Sequence, residues 1–596
     1  MKKIKLFREA LSLVWESAPG WASVNIAISV IRGFLPLGLV YLLKLLIDFI
    51  TKATSSPPTN PVNGIIWLIV AVVAVFLLDE ISFEFSNLVR KRQSYRLESY
   101  MYDLLHKKAT RLDLINFENP DYFDCLSRAS REAPLRPNSI LNNIVSVFRG
   151  LLSLLLMAGL LFYLHWWIVV LLLLVNLPGI WLRLHYADIL YNFQREQTPE
   201  ARKVAYFNWL LTGDRPAREL RLFGLGNYFM SLFKKSFLKQ KEEEINIISK
   251  RTQIEIISTF VKASALFIVL LFIARETISG SLSLGDMAMF IMAFRQGMLY
   301  LKEIFGSLAA LYEDGLFIGD TFEFLHLTEK IRAEEPIVKP SQLEKGISVN
   351  NLSFTYPGNN RPAIDNISFE IKKGDVVALV GHNGAGKSTL ARLLCRLYEP
   401  DGGYIEFDGA NIRNINPDEY RKLFSVVFQD FMLYNLSAGE NIHLGNIDSP
   451  RVQQDIENSA GITGVNELIK SLPEGYETVI GNLFDDSREL SWGEWQKIAL
   501  ARALYRNAPV LILDEPSSAL DVDTEYEIFS RFRNIVKGRT AIMISHRFTN
   551  VKIADRIIVL HKGKIEESGT HRELMNAKGQ YYSMYIKQSG RFEDGN

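Results

Sequence analysis

Cysteine is nearly absent from the sequence, which contains only Cys125 and Cys395. Two thiols are too few for a disulfide framework or for a metal cluster built on cysteine. Free cysteine usually packs as a small apolar side chain, so we expect both residues to be buried and assign them no redox role.

The sequence also lacks an excess of charge of either sign. Lysine and arginine number 67 and aspartate and glutamate number 66, so the formal net charge is +1. Proteins that bind nucleic acid usually carry a basic surface, and we therefore expect no nucleic-acid partner. Hydrophobic residues make up 48% of the chain. Long apolar runs lie before about residue 320, and the remainder has the composition of a soluble α/β protein.

Six apolar stretches in the first half are each long enough to cross about 30 Å of hydrocarbon as a helix. They lie near Trp21–Ile50, Gly64–Phe85, Ile144–Leu164, Trp167–Leu184, Ile257–Ala274 and Asp286–Phe305. The first is too long for the apolar region of a signal peptide and lacks a small-residue cleavage site. Before it, residues 1–16 combine basic residues with apolar residues at helical spacing, which predicts an interfacial helix.

Loop charge predicts the orientation of these spans, because lysine and arginine accumulate on the cytoplasmic side. Asn87–Asn143 contains ten basic residues, whereas Thr51–Asn63 contains only Lys52. We therefore expect a multi-pass protein of the cell membrane with a cytoplasmic N-terminus and a cytoplasmic second domain. The two long cytoplasmic loops each contain a candidate docking element, at Asn119–Phe123 and at Ala217–Phe223.

Charged residues inside or beside the predicted spans are a further feature of this half. We interpret Lys44, Asp79 and Glu80 as side chains that extend to the membrane interface. Candidates for a substrate cavity are Arg32, Lys262 and Arg295, because an ionisable residue at membrane depth usually faces a cavity or a partner.

A glycine-rich motif at Gly381–Thr389 matches the pattern G-x-x-x-x-G-K-[ST], whose backbone N–H groups and lysine hold nucleotide phosphates. An apolar run precedes it as a predicted buried strand, and Leu390–Leu397 follows as a predicted helix, whose N-terminus would face the phosphates. The candidate nucleotide-binding residues of this loop are Gly381, Asn383, Gly384, Gly386, Lys387, Ser388 and Thr389. The Ser388 hydroxyl is expected to face Mg²⁺.

Two further predicted strands end in chemically active side chains. Val510–Leu513 leads into Asp514 and Glu515, which predicts a buried strand that delivers two carboxylates to a sheet edge. We expect Asp514 to hold Mg²⁺ and Glu515 to act as the general base for an attacking water. A second apolar strand ends at His546, whose imidazole can contact the terminal phosphate or orient Glu515.

The order of these motifs resembles the ATP-binding domain of ABC transporters. It runs from Tyr356 through the phosphate loop to Gln429, then Leu490–Glu494, the Asp514–Glu515 strand, Ser518–Asp521 and His546. With six preceding spans, nearly the whole chain is similar to a bacterial ABC exporter half-transporter. The resemblance implies an all-α membrane domain with six transmembrane helices at 1–327, a linker at 328–346 and a P-loop α/β nucleotide-binding domain at 347–590.

The resemblance also implies roles for residues outside the phosphate loop. Tyr356 would stack on adenine, and Gln429 would contact Mg²⁺. In the partner chain, Ser491, Gly493 and Glu494 would cap the terminal phosphate of ATP, so two chains are required. The implied catalytic set is Glu515, His546, Gln429 and Lys387, the metal set is Ser388, Gln429 and Asp514, and Asp521 completes the nucleotide site.

Leu490–Glu494 departs from the family pattern L-S-G-G-Q at Trp492 and Glu494. Glycine at position 492 would permit positive φ and close backbone approach, which an indole hinders, so we expect slow hydrolysis. The segment Asn482–Arg488 and the docking elements are more similar to the branch that exports lantibiotics and other small modified peptides.

These features together predict an ATP-driven exporter that moves a peptide or amphipathic small molecule out of the cytoplasm as a dimer, most simply a homodimer. The alternatives are a lipid or multidrug exporter and a membrane ATPase that senses a peptide without transporting it.

Overall fold

The computed structural model describes residues 2–55, 61–196, 198–339, 343–516, 536 and 538–593. The chain divides into two compact units. The first comprises Met1–Arg111 and Pro120–Leu327, and the second comprises Leu112–Asn119 and Thr328–Asn596. A short segment from the first half of the sequence therefore belongs to the same unit as the nucleotide-binding motifs.

All secondary-structure elements described in the first unit are α-helices. Its helices are α1 (Lys2–Ser17), α2 (Pro19–Ser55), α3 (Pro61–Arg111), α4 (Pro120–Glu132), α5 (Arg136–Leu164), α6 (Trp166–Glu196), α7 (Thr198–Thr212), α8 (Ala217–Leu222), α9 (Gly226–Ile278) and α10 (Leu284–Leu325). Each of the six predicted spans lies within a separate long helix of this set.

Membrane-spanning composition is clear for four of those six helices. By length and hydropathy, α2, α3, α5 and α9 can cross a membrane, and α6 contributes the shorter apolar stretch Trp166–Gly179. The apolar part of α10 is interrupted by Asp286, Arg295 and Lys302. The spans in α6 and α10 therefore stay predictions.

Buried polar side chains join the helices of this unit. Asn25 of α2 and Gln93 of α3 are fully buried, and Asn25 Nδ2 donates to Gln93 Oε1 at 3.2 Å and to Asn142 Oδ1 of α5 at 3.0 Å. Lys44 of α2 also forms an ion pair with Asp286 of α10, at 2.7 Å. Burial of both partners of a polar pair on different helices favours one packing arrangement, because either partner alone would be unsatisfied.

The second unit contains two sheets. Its strands are β1 (Gly346–Phe354), β2 (Ile364–Lys372), β3 (Val376–Val380), β4 (Gly402–Phe407), β5 (Ala410–Asn411), β6 (Phe424–Val427), β7 (Val510–Asp514), β8 (Thr540–Ile544), β9 (Arg556–His561) and β10 (Lys564–Gly569). The larger sheet has the order β10-β9-β3-β8-β7-β6, and its pairs are parallel except β9 with β10. The smaller is antiparallel, in the order β2-β1-β4-β5.

The described residues of the second unit also form nine α-helices. They are α11 (Lys387–Leu394), α12 (Pro417–Arg421), α13 (Ala438–His443), α14 (Gln453–Ile462), α15 (Asn466–Ser471), α16 (Trp492–Arg506), α17 (Phe548–Val551), α18 (His571–Ala577) and α19 (Gln580–Glu593). Strands β3, β7 and β8 are buried at every residue. As predicted, one buried strand, β7, ends at Asp514 with Glu515 next in the chain, and His546 lies two residues after its neighbour β8.

Leu112–Asn119 is anchored in the second unit by polar and apolar contacts. Asp113 accepts hydrogen bonds from the backbone N–H groups of Lys330 at 2.6 Å and Ile331 at 3.2 Å. Tyr398 donates to Glu118 Oε1 at 2.7 Å. Leu114 and Ile115 pack against the core between the two sheets. The predicted docking element began at Asn119, but these contacts come from the preceding residues, and α4 of the first unit begins at Pro120.

Candidate nucleotide-binding site

The phosphate loop connects β3 to α11 and requires glycine at two tight positions. Gly381 has φ +151° and Gly386 has φ +102°. A Cβ at Gly381 would lie 2.2 Å from the Leu560 carbonyl oxygen, and one at Gly386 would lie 2.5 Å from that of Ala363. Gly384 and Asn383 form the exposed tip of the loop. The loop therefore folds tightly against neighbouring backbone while its tip stays accessible to a ligand.

Lys387 lies at the first position of α11 with its ammonium turned back into the loop. The residue is 6% exposed, and Nζ donates to the carbonyl oxygens of Gly381 at 3.0 Å and His382 at 3.1 Å. Burial lowers the pKa of Lys387, although Glu515 and Asp514 oppose that shift. The ammonium is thus held by neutral oxygens that phosphate oxygens can replace.

Asp514 ends β7 and has a carboxylate oxygen without a protein donor. The residue is 3% exposed, and among the described residues no group hydrogen-bonds to its Oδ1. Burial raises the pKa of Asp514, and a hydrogen bond from Ser388 opposes that shift. A buried, unsatisfied carboxylate oxygen beside a serine hydroxyl matches the oxygen ligands that Mg²⁺ prefers, so these residues fit the predicted metal site.

Glu515 is held from both sides by the other predicted catalytic side chains. Its Oε2 accepts a hydrogen bond from Gln429 Nε2 at 3.0 Å, and its Oε1 lies 2.9 Å from His546 Nε2. Burial lowers the pKa of His546, with a smaller contribution from Lys387 in the same direction. Glu515 itself has φ +53°, which is uncommon for a non-glycine residue. Such backbone conformations cluster at functional sites.

Two glutamines that sequence reasoning missed support this arrangement. Gln496 of α16 is 2% exposed and donates to the Glu515 carbonyl oxygen at 3.3 Å. Gln588 of α19 donates to the His546 carbonyl oxygen at 3.0 Å and accepts from the Phe548 N–H at 3.0 Å. The only sequence signal for Gln496 is a polar residue among the apolar positions of α16, and Gln588 has none.

A cleft of about 800 Å³ opens beside the phosphate loop. Its walls come from the end of β3, the loop that contains His546, and the α19 side chains Met584, Lys587 and Gln588. α19 is attached to this loop by aromatic contacts, since the Phe548 ring lies 5.3 Å from that of the buried Tyr581. The loop that contains the predicted catalytic residue His546 is therefore packed against α19, the last described helix.

Ser491, Gly493 and Glu494 lie at the start of α16. Ser491 caps the helix, because its hydroxyl accepts from the Glu494 N–H while the Glu494 carboxylate accepts from the Ser491 N–H at 2.7 Å. Trp492 does not have positive φ, and its ring stacks on Phe431 at 4.8 Å. The predicted conflict between an indole and positive φ therefore does not arise.

The remaining predicted nucleotide ligands are Tyr356, Thr389 and Asp521. The Tyr356 hydroxyl lies 3.1 Å from Thr389 Oγ1, and its ring meets Phe354 edge-on at 5.1 Å. Tyr356 is thus fixed beside the start of α11 and only partly buried. Asp521 lies outside the described residues. The structure brings Lys387, Ser388, Gln429, Asp514, Glu515 and His546 together at one edge of the larger sheet.

Comparison with known proteins identifies both halves of the chain. Residues 23–299 match the family model described as ABC transporter transmembrane region, and residues 364–518 match the model described as ABC transporter. The subtilin transport ATP-binding protein SpaT of Bacillus subtilis is 32% identical over 94% of this chain and 90% of its own length. The nisin transport ATP-binding protein NisT of Lactococcus lactis is 28% identical over 98% of this chain and 96% of its own.

Other relatives are described as acting on different substrates. An ATP-dependent lipid A-core flippase of Syntrophus aciditrophicus is 26% identical over 98% of this chain and 95% of its own length. The structure of a bacterial Atm1-family ABC exporter with ATP bound matches 95% of this chain and 98% of its own, with a TM-score of 0.79 and 21% identity, which shows the shared fold. The chain therefore belongs to the ABC transporter family, as an ATP-hydrolysing exporter with its transmembrane region and ATP-binding domain fused in one polypeptide.

Proposed function

We propose that this exporter moves a peptide or amphipathic small molecule from the cytoplasm across the cell membrane by alternating access, and that it works as a homodimer. The observation that carries the peptide assignment is the match to SpaT and NisT over nearly the full chain, through both the transmembrane and the ATP-binding regions. The cytoplasmic position of the ATP-binding domain is supported by the basic Asn87–Asn143 loop.

The site geometry supports a division of labour among the catalytic residues. Glu515 is the general base, and the contacts from Gln429 and His546 orient its two carboxylate oxygens toward a water at the terminal phosphate. Lys387 exchanges its two loop carbonyl partners for phosphate oxygens. Ser388, Gln429 and Asp514 would hold Mg²⁺, which neutralises phosphate charge when bound.

Two ATP molecules would bind between the second units of two chains. In each composite site, Ser491 and Gly493 of one chain would face the phosphate loop of the other. Support comes from Ser491, which is exposed at the start of α16 and is therefore accessible to a second chain. Binding of ATP would favour the closed arrangement, and hydrolysis would reopen it, so the transport cavity alternates between the two sides.

The proposal is tested first at Glu515. In Glu515→Gln the general base is lost while the amide can still contact Gln429, so we expect ATP turnover to fall about 100-fold or more and ATP to remain bound. The measurement is steady-state phosphate release together with retention of labelled ATP by the purified chain. Turnover at the wild-type rate would show that another group is the base.

Substrate class is tested in sealed vesicles that contain the reconstituted chain. A panel of labelled amphipathic peptides and labelled lipids is offered with ATP, and Glu515→Gln vesicles provide the background. We expect ATP-dependent movement of a peptide. Movement of lipid alone would support the second candidate function, which the lipid A-core flippase relative favours. ATPase stimulation by peptide without any transport would identify a sensor.

A further inference from the structure

Three arginines from three helices lie close together inside the first unit. Arg32 of α2, Arg90 of α3 and Arg149 of α5 are within electrostatic reach of one another. Two carboxylates share the cluster: Arg32 Nε lies 3.7 Å from Asp79 Oδ1, and Arg149 forms an ion pair with Glu303. The Arg32 and Arg149 side chains are only 12% and 17% exposed.

Arg90 has no ion-pair partner among the described residues, and one edge of its guanidinium is unsatisfied. Its Nε and Nη2 atoms are both buried and make no hydrogen bond within the described part of the chain. These two N–H groups lie side by side in one plane, and together they form the fork that binds two oxygens of a carboxylate or phosphate. Because buried polar groups in native proteins are nearly always paired, this edge lacks an acceptor, and an acceptor reaches it only when the neighbouring side chains move apart.

The charges of the cluster indicate what that acceptor must carry. Three guanidinium groups and two carboxylates leave a net charge of +1. An uncompensated charge is strongly unfavourable when it is buried, and a single negative charge brings the cluster to neutrality. The occupant is therefore a monoanion with at least two oxygen acceptors, such as a carboxylate or a phosphodiester.

Position along α3 places Arg90 near the polar layer of a bilayer, whereas Arg32 and Arg149 lie within the predicted spans of α2 and α5. Arg90 lies 29 residues after Pro61, or about 43 Å along α3, which exceeds the hydrocarbon thickness of about 30 Å. Helical side chains tilt toward the helix N-terminus, so the guanidinium points back toward the membrane. Exposed apolar side chains adjoin the site, since Arg32 lies 4.9 Å from the ring of Phe83. An occupant with an anionic head and an apolar body fits both features.

We propose that Arg90, assisted by Arg32 and Arg149, binds the monoanionic head group of an amphipathic molecule at the cytoplasmic side of the transmembrane region. The head group is a carboxylate or a phosphodiester. This assignment deepens the proposed function and rests on it in one respect, that the bound amphiphile is exported cargo. Binding itself requires neither ATP nor transport.

The test compares anionic and uncharged probes that share an apolar body. Binding to the purified full chain in a neutral detergent is measured without nucleotide for oleate against oleyl alcohol and for dioleoylphosphatidylglycerol against dioleoylglycerol. We expect at least one anion to bind about tenfold more tightly than its uncharged analogue, because only the anion can accept charge-assisted hydrogen bonds from the guanidinium of Arg90. The pair that shows the preference identifies the head group.

Variants of two arginines on α3 decide whether this preference comes from the cluster. Arg90→Gln should abolish it, Arg90→Lys should retain part of it because the charge remains without the fork, and Arg96→Gln, an exposed position on the same helix, should leave it unchanged. Absence of any preference in the wild type, or its persistence in Arg90→Gln, would overturn the proposal. If the wild type binds the anion preferentially but exports no amphiphile, the result would contradict the proposed function and leave the binding site supported.

A stability measurement separates a binding arginine from a structural one. Without ligand, Arg90→Gln removes an unpaired buried charge, so its thermal unfolding midpoint should equal or exceed that of the wild type. A clear decrease would show that Arg90 stabilises the helices through a protein partner, and it would also overturn the proposal.

Discussion

Burial acts on two oppositely charged side chains of the nucleotide site in a complementary way. It lowers the pKa of Lys387 and raises the pKa of Asp514, so both groups are pushed toward their neutral forms. Each carries an interaction that a ligand can improve: the ammonium is held by two carbonyl oxygens, and Oδ1 of the carboxylate has no donor within the described residues. Phosphate and Mg²⁺ supply the opposite charges, so the free site is poised for a charged ligand.

The burial of Asp514 predicts that folding stability depends on pH in opposite ways in the free and in the Mg²⁺-bound protein. The folded-state pKa of Asp514 lies above its unfolded value. The folded state therefore binds more protons between the two pKa values, and the contribution of Asp514 to the stability of the free protein rises as pH falls. Mg²⁺ requires the ionised carboxylate, so its stabilisation of the complex with a non-hydrolysable ATP analogue should decrease over that same window.

Thermal unfolding midpoints recorded from pH 7 to pH 4, with and without Mg²⁺, measure both trends. In Asp514→Asn, Mg²⁺ should no longer raise the unfolding midpoint at pH 7, and the change of this Mg²⁺ effect with pH should also disappear. Asp448→Asn, on an exposed ion pair with Lys422, should behave as the wild type. An unchanged Mg²⁺ effect in Asp514→Asn would remove this residue from the metal site.

At the scale of secondary-structure elements, local patterns predicted most of what positions the site. The strand before Gly381 and the strand ending at Asp514 have unbroken apolar runs bounded by turn residues, and both form as predicted. The helix predicted at Leu390–Leu397 begins three residues earlier, at Lys387, and ends at Leu394. Gln588 could not be predicted, because its partners at His546 and Phe548 lie about 40 residues away and a glutamine on a helix has no local signal. Its role depends on how α19 packs.

α19 should therefore influence catalysis through the backbone of the His546 loop. Gln588→Ala removes two hydrogen bonds, each worth about 1 kcal/mol. If about half of this free energy is lost from the transition state, kcat for ATP hydrolysis falls about fivefold. KM for ATP should change less than twofold, since the phosphate loop is untouched. In a His546→Ala background, Gln588→Ala should have no further effect, because both act on one imidazole.

The same kinetic measurements on Ser583→Ala provide the control for this helix. Ser583 is exposed on α19 and should show wild-type kinetics. If the losses of kcat from Gln588→Ala and His546→Ala are additive in the double variant, α19 acts on a group other than His546.

At the scale of the whole molecule, the central prediction is that each ATP site contains residues from two chains. Differently tagged chains are co-expressed, and mixed dimers are isolated by tandem purification. A dimer of Lys387→Ala with Gly493→Asp keeps one complete composite site and should retain about half of the wild-type ATPase activity. A dimer of the wild type with a chain carrying both substitutions has no complete composite site and should be inactive.

Sites built within single chains would give the reverse pattern. The first mixed dimer would be inactive, and the second would retain the activity of its wild-type chain. A chain that stays monomeric with full ATPase activity would likewise contradict the composite site.

The placement of Leu112–Asn119 in the second unit has a consequence for biosynthesis. These residues leave the ribosome more than 200 residues before Thr328, where the rest of that unit begins. Until that later part is made, the Asp113 carboxylate lacks the Lys330 N–H and Leu114 lacks its apolar neighbours. The ATP-binding unit therefore combines a segment that is synthesised early with one that is synthesised late. A fragment that starts at Thr328 should gain stability when a peptide of Leu112–Asn119 is added.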